Sequence, residues 1–217
     1  FLGCLLLFFS KKNLKKITLY EKIFTVLSGY ILFPLIISIP YYFGIKNITY
    51  LNSYFEAVSG FTSTGFSVFN NIKQLDESLI IWRSTSQWIG GIYFLFSILL
   101  LIDIFDKNLK QSFTEYLSFN YNEIFKQSFK IVIIYSLLTL LIFTIFKTID
   151  LRTFDAFNLS LSIISSGGFL PVNRIDYLFE SDLSKILLSI TMLISFFSLF
   201  LTYNLIFYNK KKNQFFK

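Results

Sequence analysis

The sequence predicts an all-α integral membrane protein in which a spanning helix, a re-entrant loop and a second spanning helix occur twice. Of its 217 residues, 54% are hydrophobic, which is more apolar surface than a soluble chain of this length buries. The apolar residues collect in runs without any charge, at residues 23–45, 84–102, 131–146 and 186–209. Short apolar segments that end in glycine separate the first run from the second and the third from the fourth.

The composition excludes several functional classes. The chain has no histidine and a single cysteine, so the commonest catalytic base and metal ligand are missing and an internal disulfide cannot form. The net charge of +7 comes from lysines beside the apolar runs, which is typical of membrane topology and not of a nucleic-acid-binding surface. The centres of the runs also hold no acid, which disfavours a membrane-embedded enzyme. We therefore expect neither an enzyme nor a nucleic-acid partner.

The first run, residues 23–45, is long enough to cross a hydrocarbon core about 30 Å thick. Within it, Pro34 predicts a kink and Pro40 predicts the end of the helix. The apolar residues 1–10 are too few to span, and they lack the charged start of a signal peptide. We expect residues 1–18 to be the end of an upstream helix and a basic cytoplasmic linker, and the sequence to be a fragment of a longer protein.

Residues 54–69 are predicted to enter the membrane as a short helix, turn at Gly65 and leave on the same side. Such a loop is tolerated only where it lines a wet cavity, and there its carbonyls can replace the water shell of a cation. The candidate ion ligands are Thr62, Ser63, Thr64 and Gly65. The alternative is that the hydroxyls only satisfy the loop backbone and that the glycine makes an ordinary turn.

The loop and its two flanking spans form a first unit, residues 19–110, and a second unit, residues 111–217, repeats this order. A mixed-charge connector at residues 103–130 is long enough for an amphipathic helix at the membrane surface. After the third apolar run comes a second re-entrant loop. It supplies the second set of candidate ion ligands, Ser165, Ser166, Gly167 and Gly168.

The two loops share a local pattern. Phe-Glu-Ala at residues 55–57 opens the first loop and Phe-Asp-Ala at residues 154–156 opens the second, 99 residues later, whereas the closing Gly-Phe pairs are 103 residues apart. This difference predicts one extra helical turn in the second loop. Both acids, Glu56 and Asp155, are then expected in the first turn of their helices, where a carboxylate suits the helix dipole.

Glu56, Gly90 and Gly91 have two interpretations each. Glu56 either caps its helix or pairs with Arg83 to hold the loop against the following helix. Gly90 and Gly91 either allow a helix or loop to pack closely, which we favour, or merely weaken their helix.

The lysines predict the orientation in the membrane. Most of them flank one end of the spans, which should be cytoplasmic, so both loops enter from outside. The cytoplasmic set is Lys11, Lys12, Lys15, Lys16, Lys22, Lys107, Lys110, Lys126, Lys130, Lys210, Lys211, Lys212 and Lys217.

The residues that carry this pattern resemble the Trk/Ktr/HKT potassium transporter family, and most closely its bacterial Trk-type membrane subunit. Residues 55–65 are similar to the first pore helix and selectivity filter of that family, and residues 82–91 to the start of the following helix. Residues 154–156 with residues 166–169 look like the second filter. The resemblance covers essentially the chain from residue 18 to residue 217.

This resemblance implies units of potassium-channel type, four to a polypeptide around a central pore, of which the sequence shows the first two. It further implies uptake of K⁺ across the bacterial inner membrane, with K⁺ as the transported ion at the filter residues and no bound cofactor. The expected partners are a second copy in a homodimer, a cytosolic nucleotide-binding regulatory subunit (TrkA/KtrA-like) and the lipid membrane. The alternatives are a non-conducting accessory membrane subunit and a sodium-permeable relative.

The resemblance also has an implication for selectivity. In related transporters a serine in place of a filter glycine accompanies sodium permeation, so Gly65 and Gly168 together imply potassium. The sequence departs from the family pattern at Phe66, Ser166 and Tyr93, and also at residues 170–171.

Overall fold

The computed structural model describes residues 18–101 and 121–214, and these form a helical fold in which the order long, short, long occurs twice. The helices are α1 (Leu19–Gly44), α2 (Tyr50–Phe61), α3 (Glu77–Leu101), α4 (Tyr121–Lys147), α5 (Thr153–Ile164) and α6 (Asp182–Gln214). A single 3-10 turn lies between α2 and α3 (Ile72–Gln74), and another between α5 and α6 (Ile175–Tyr177). The predicted upstream helix and most of the linker and connector lie outside the described residues.

Helix α1 begins with a capping box and runs further than predicted. Thr18 Oγ1 accepts the Glu21 amide, and the Thr18 amide donates to Glu21 Oε2 at 2.7 Å. The prediction that Pro40 ends the helix is wrong, because both prolines lie inside α1 and the helix ends only at Gly44. A proline removes one backbone hydrogen bond, and packing of α1 against α2 and α3 holds the helix together across that gap.

By length and composition, two described helical segments are long and apolar enough to cross a membrane, Leu19–Gly44 and Ser128–Lys147. The second lies within α4, which begins at Tyr121 and therefore includes the last part of the predicted connector. The spans expected at residues 84–102 and 186–209 correspond to parts of α3 and α6 and stay predictions.

Helix α3 lies at the centre of the fold. Helix α2 packs against α1 and α3, α5 packs against α3, α4 and α6, and α3 contacts α1, α2, α4 and α5. Buried apolar side chains of α4 and α5 form the larger core, which includes Ile131, Ile142, Leu159 and Ile164. Because α3 contacts both short helices, its side chains can hold the segments that follow each of them.

The two short helices have the same length, and the predicted extra turn is absent. Each has 12 residues, so their starts and ends are both 103 residues apart. Asp155 lies in the first turn of α5 as expected, but Glu56 lies in the middle of α2. The reason is that α2 begins at Tyr50, well before Glu56. Its N-cap is Thr49, whose hydroxyl accepts the Asn52 amide at 3.2 Å. The Phe-acid-Ala pattern therefore occurs at positions of α2 and α5 that are not structurally equivalent.

Candidate functional site

The segments that follow the two short helices have nearly the same backbone conformation. We call them loop 1 (residues 62–69) and loop 2 (residues 165–172). Ser63 and Ser166 have φ of 55° and 54°, and Gly65 and Gly168 have φ of 81° and 76°. Positive φ is costly for a side-chain-bearing residue, so its recurrence at matching positions marks a built feature of both loops.

Backbone hydrogen bonds close the two loops in the same way. In loop 1 the amides of Ser63 and Thr64 donate to carbonyls in the last turn of α2, and in loop 2 the amides of Ser166 and Gly167 donate to the last turn of α5. The bonds are Ser63 to Gly60 at 3.0 Å, Thr64 to Ser59 at 3.0 Å, Ser166 to Ile163 at 2.8 Å and Gly167 to Ser162 at 2.9 Å.

The two loops lie side by side and meet at their glycines. A Cβ atom placed on Gly65 would overlap the carbonyl oxygen of Gly167, so a side chain is excluded there. At Gly168, by contrast, no described residue other than its two chain neighbours has an atom within 4 Å of the Cβ position. The structure thus brings the predicted residues of loop 1 and loop 2 together at one place.

A cavity of about 260 Å³ lies where α2 and α5 end. Its walls include the first residues of both loops, Thr62, Ser63, Ser165 and Ser166. The C-terminal end of a helix carries partial negative charge because its peptide dipoles are aligned. Two such ends at one cavity favour a cation there without any acidic side chain.

Glu56 holds loop 1 from inside the protein. Its Oε2 accepts the Val68 amide at 3.0 Å, its two oxygens accept the Ser67 hydroxyl at 3.0 and 3.1 Å, and its Oε1 accepts Arg83 Nε at 2.8 Å. The side chains of Glu56 and Arg83 are 0% and 2% exposed. The ion pair that the sequence suggested is therefore present, fully buried and hydrogen-bonded, which is the arrangement that a buried charge requires.

Arg83 contacts loop 2 as well. Its guanidinium donates to the Leu170 carbonyl at 3.3 Å and to the Ser67 hydroxyl at 3.1 Å. It also lies over the ring of Phe169, 4.2 Å from the centroid, within the range of a cation–π interaction. One side chain of α3 thus contacts the exit of both loops.

Gln87, one helical turn after Arg83, contacts loop 2 and was not predicted as a site residue. Its Nε2 donates to the Gly167 carbonyl at 2.6 Å, while its Oε1 accepts the Ser162 hydroxyl at 2.7 Å and the Phe169 amide at 3.2 Å. The Gly167 carbonyl, a predicted ion ligand, is therefore directed at protein. An amide side chain within an uncharged run is the sequence signal that could have identified Gln87.

Gly90 and Gly91 allow α3 to approach both loops, which confirms the prediction of close packing. A Cβ on Gly90 would overlap the Phe61 carbonyl at the end of α2. A Cβ on Gly91 would overlap the Tyr135 hydroxyl and lie 3.1 Å from Ser165 Cβ. The absence of side chains at these two positions of α3 thus sets the position of the start of each loop.

We expect Gly90→Ala to destabilise the protein, because the added methyl group meets backbone that cannot rotate away. Overpacking of this kind costs about 1–3 kcal/mol. Thermal unfolding of the purified protein in detergent measures the effect. Gly44→Ala is the matched control, since the Cβ there would meet only the flexible end of Leu79, at 3.3 Å. An unchanged unfolding midpoint in Gly90→Ala would contradict the packing described here.

Further contacts join the two units beyond the loops, and sequence reasoning missed them. Asn173 Oδ1 accepts the Ile72 amide at 2.7 Å and its Nδ2 donates to Asn71 Oδ1 at 2.9 Å. Arg152 pairs with Glu77 at 2.5 Å. Both contacts join residues far apart in the sequence, so neither could be inferred from a local pattern.

Two more polar groups of the second unit lie at opposite ends of α5. Asp155 faces Arg152 across 3.7 Å, and burial raises the pKa of its carboxyl, an effect that Arg152 opposes. The hydroxyl of Ser195, on α6, donates to the carbonyls of Ile163 and Ile164 and lies 3.1 Å from the Ser166 hydroxyl. Ser195 thus attaches the end of α5 to α6.

Two positions that depart from the family pattern have different surroundings. Tyr93 extends across to α1, where its hydroxyl donates to the Val26 carbonyl at 3.0 Å and occupies the space that the missing side chain of Gly29 leaves. Phe66, in loop 1, is 69% exposed. The large Tyr93 is thus accommodated by a small partner.

Comparison with known proteins identifies relatives over most of the chain. The family TrkH, described as a cation transport protein, matches residues 2–217. An uncharacterized cation transporter of Methanocaldococcus jannaschii is 30% identical over 183 residues, which cover 82% of this chain and 37% of that protein.

Bacterial potassium uptake proteins are also among the relatives. The Trk system potassium uptake protein TrkG of Escherichia coli is 28% identical over 80% of this chain and 37% of its own length. TrkH of Salmonella typhimurium, also a Trk system potassium uptake protein, is 24% identical over 69% of this chain and 32% of its own. The chain thus spans about a third of the length of these relatives.

These matches confirm the predicted class, a helical membrane protein concerned with transport and not an enzyme. The chain belongs to the TrkH family of cation transport proteins.

Proposed function

We propose that the chain forms part of a path for potassium uptake across the bacterial inner membrane, with loop 1 and loop 2 as re-entrant segments that line it. The observation that carries this proposal is the matching pair of positive-φ positions in two adjacent loops. Positive φ interrupts regular helix and strand, so that loop carbonyls can be turned toward an ion, as an ion path built from backbone requires. The names of two relatives, both potassium uptake proteins, support potassium as the ion.

The ion would be held by backbone and hydroxyl oxygens. In loop 1 these belong to Thr62, Ser63, Thr64 and Gly65, and in loop 2 to Ser165, Ser166 and Gly168. The Gly167 carbonyl, bonded to Gln87, is left out of this set. Neutral oxygens suit K⁺, because an ion must be able to leave the site as well as enter it. Glu56 and Arg83 would support loop 1 from behind without touching the ion.

The two units, residues 19–110 and 111–217, would each supply one wall of a central pore. The nearly identical loops and equally long short helices support this duplication. We propose further that the complete protein acts as a homodimer with a cytosolic nucleotide-binding regulatory subunit on its lysine-rich side.

Growth of a potassium-uptake-deficient bacterium tests this function. The complete gene, supplied with its regulatory subunit, should restore growth when potassium is limiting, and Gly65→Asp should abolish the rescue at normal expression. A carboxylate at Gly65 would place a side chain and a charge where the Gly167 carbonyl now lies. No rescue by a well-expressed parent would favour a non-conducting subunit instead, and accumulation of sodium in place of potassium would favour the sodium-permeable alternative.

A further inference from the structure

The amide of Gln87 is fully buried, with 0% of the residue exposed, and every polar atom of this amide has a partner on or beside loop 2. Two of the partners belong to backbone, the Gly167 carbonyl at 2.6 Å and the Phe169 amide at 3.2 Å. The third is the hydroxyl of Ser162, in the last turn of α5, at 2.7 Å. A buried amide with hydrogen-bond partners on both its oxygen and its nitrogen is held in one orientation.

These backbone partners lie on either side of Gly168. The Gly167 carbonyl belongs to the peptide unit before this glycine, and the Phe169 amide belongs to the unit after it. Gln87 therefore forms hydrogen bonds with both peptide units that flank Gly168. The orientations of these two units define the φ and ψ of Gly168. Packing against other parts of the fold does not impose the φ of 76° there, since no described residue other than the two chain neighbours has an atom within 4 Å of the Cβ position.

Loop 1 reaches the same conformation by other means. There the hydroxyl of Ser59 donates to the Phe66 carbonyl at 2.5 Å, and Gly65 lies directly against the Gly167 carbonyl. Ser59 and Ser162 occupy equivalent positions, but Ser162 donates to Gln87. The two loops thus have one shape with different supports, and Gln87 is a support of loop 2.

We infer that Gln87 is a positioning residue that sets the direction of the Gly167 carbonyl and so decides which carbonyls of loop 2 face an ion. This inference rests on the proposed function, in which loop 2 lines the ion path. With Gln87 in place, the Gly167 carbonyl is directed into the protein. Without it, the Gly167–Gly168 peptide has no side-chain donor and can rotate, because glycine accepts either sign of φ. The set of oxygens around the ion then changes, and with it the discrimination between K⁺ and Na⁺.

Hydrogen exchange tests the positioning itself and does not depend on transport. The variants are Gln87→Met and Gln87→Leu, which keep a side chain of similar volume but remove the amide, in the complete purified protein. Gln74→Met is the matched control, because Gln74 is exposed in the 3-10 turn outside loop 1. Because the Gln87 variants lose buried hydrogen bonds to loop 2, the amides of loop 2 should exchange about ten times faster than in the parent. The amides of loop 1 should exchange at the parental rate.

Ion flux in proteoliposomes then tests the consequence. In the Gln87 variants the preference for Rb⁺ over Na⁺ should fall about tenfold, the change that about 1.4 kcal/mol of differential binding produces. Unchanged exchange in loop 2, or an equal rise in both loops, would overturn the positioning role. Faster exchange in loop 2 with an unchanged ratio of Rb⁺ to Na⁺ flux would overturn the inference that Gln87 affects ion selectivity. A parent protein without any flux would contradict the proposed function, while exchange would still decide whether Gln87 holds the loop.

Discussion

Replacement of Gly65 by alanine should abolish potassium uptake, whereas the same replacement of Gly168 should only reduce it. At Gly65 two penalties act together. The φ of 81° is strained for any residue with a Cβ, and the new methyl group would overlap the Gly167 carbonyl, which is backbone and cannot rotate away. The two loops would have to separate, and the ion would lose oxygens from both.

Gly168→Ala isolates the first of these penalties. Its φ is 76°, so alanine suffers the left-handed strain of about 1–2 kcal/mol, but among the described residues nothing lies within 4 Å of the added methyl group. Rubidium uptake by cells that express the complete gene gives the ranking, with Gly44→Ala as the control that should match the parent. Equal damage from Gly65→Ala and Gly168→Ala would show that contact between the loops has no importance for uptake.

The second large effect is expected from Arg83→Ala, which should lower both uptake and thermal stability. This change leaves the Glu56 carboxylate buried without its charged partner, and such a loss typically costs about 3–5 kcal/mol. It also removes the donor to the Leu170 carbonyl and the contact with the Phe169 ring, so both loops should loosen. The unfolding midpoint in detergent and the rubidium uptake rate are the two measurements.

Two further variants separate charge burial from simple loss of packing. The double change Glu56→Gln with Arg83→Met removes both charges, so it should recover part of the stability that Arg83→Ala loses. Arg174→Ala should have an effect below about 1 kcal/mol, as is typical of exposed ion pairs, because its pair with Asp176 is exposed. A parental unfolding midpoint and uptake rate in Arg83→Ala would show that the buried pair does not support the loops.

The sequence predicted the order of long and short helices because uncharged apolar runs and glycines are local signals. It also predicted the positions of Gly65 and Gly168, since a loop between a short helix and a span must turn where positive φ is cheap. The error over helix length came from a similarity between Glu56 and Asp155. A carboxylate can serve in a first turn or in a buried ion pair, and the Phe-acid-Ala pattern does not distinguish these uses.

The supports of the loops could not be predicted in full, because they join residues distant in the sequence. Gln87 contacts Gly167 across 80 positions, and Ile72 contacts Asn173 across 101. Such pairs depend on how α3 packs between α2 and α5, which periodicity does not specify. The pairing of Glu56 with Arg83 was accessible because two opposite charges beside uncharged runs have few other partners. The ion-binding role of both loops stays a prediction.

Anomalous scattering from Rb⁺ in crystals of the complete, transport-competent protein tests most directly the claim that ions pass between the two loops. The account predicts a peak beside the backbone oxygens of loop 1 and loop 2, at Thr62–Gly65 and at Ser165, Ser166 and Gly168, that weakens when K⁺ replaces Rb⁺. Strong Rb⁺ peaks elsewhere in the protein, with none between the loops, would contradict it.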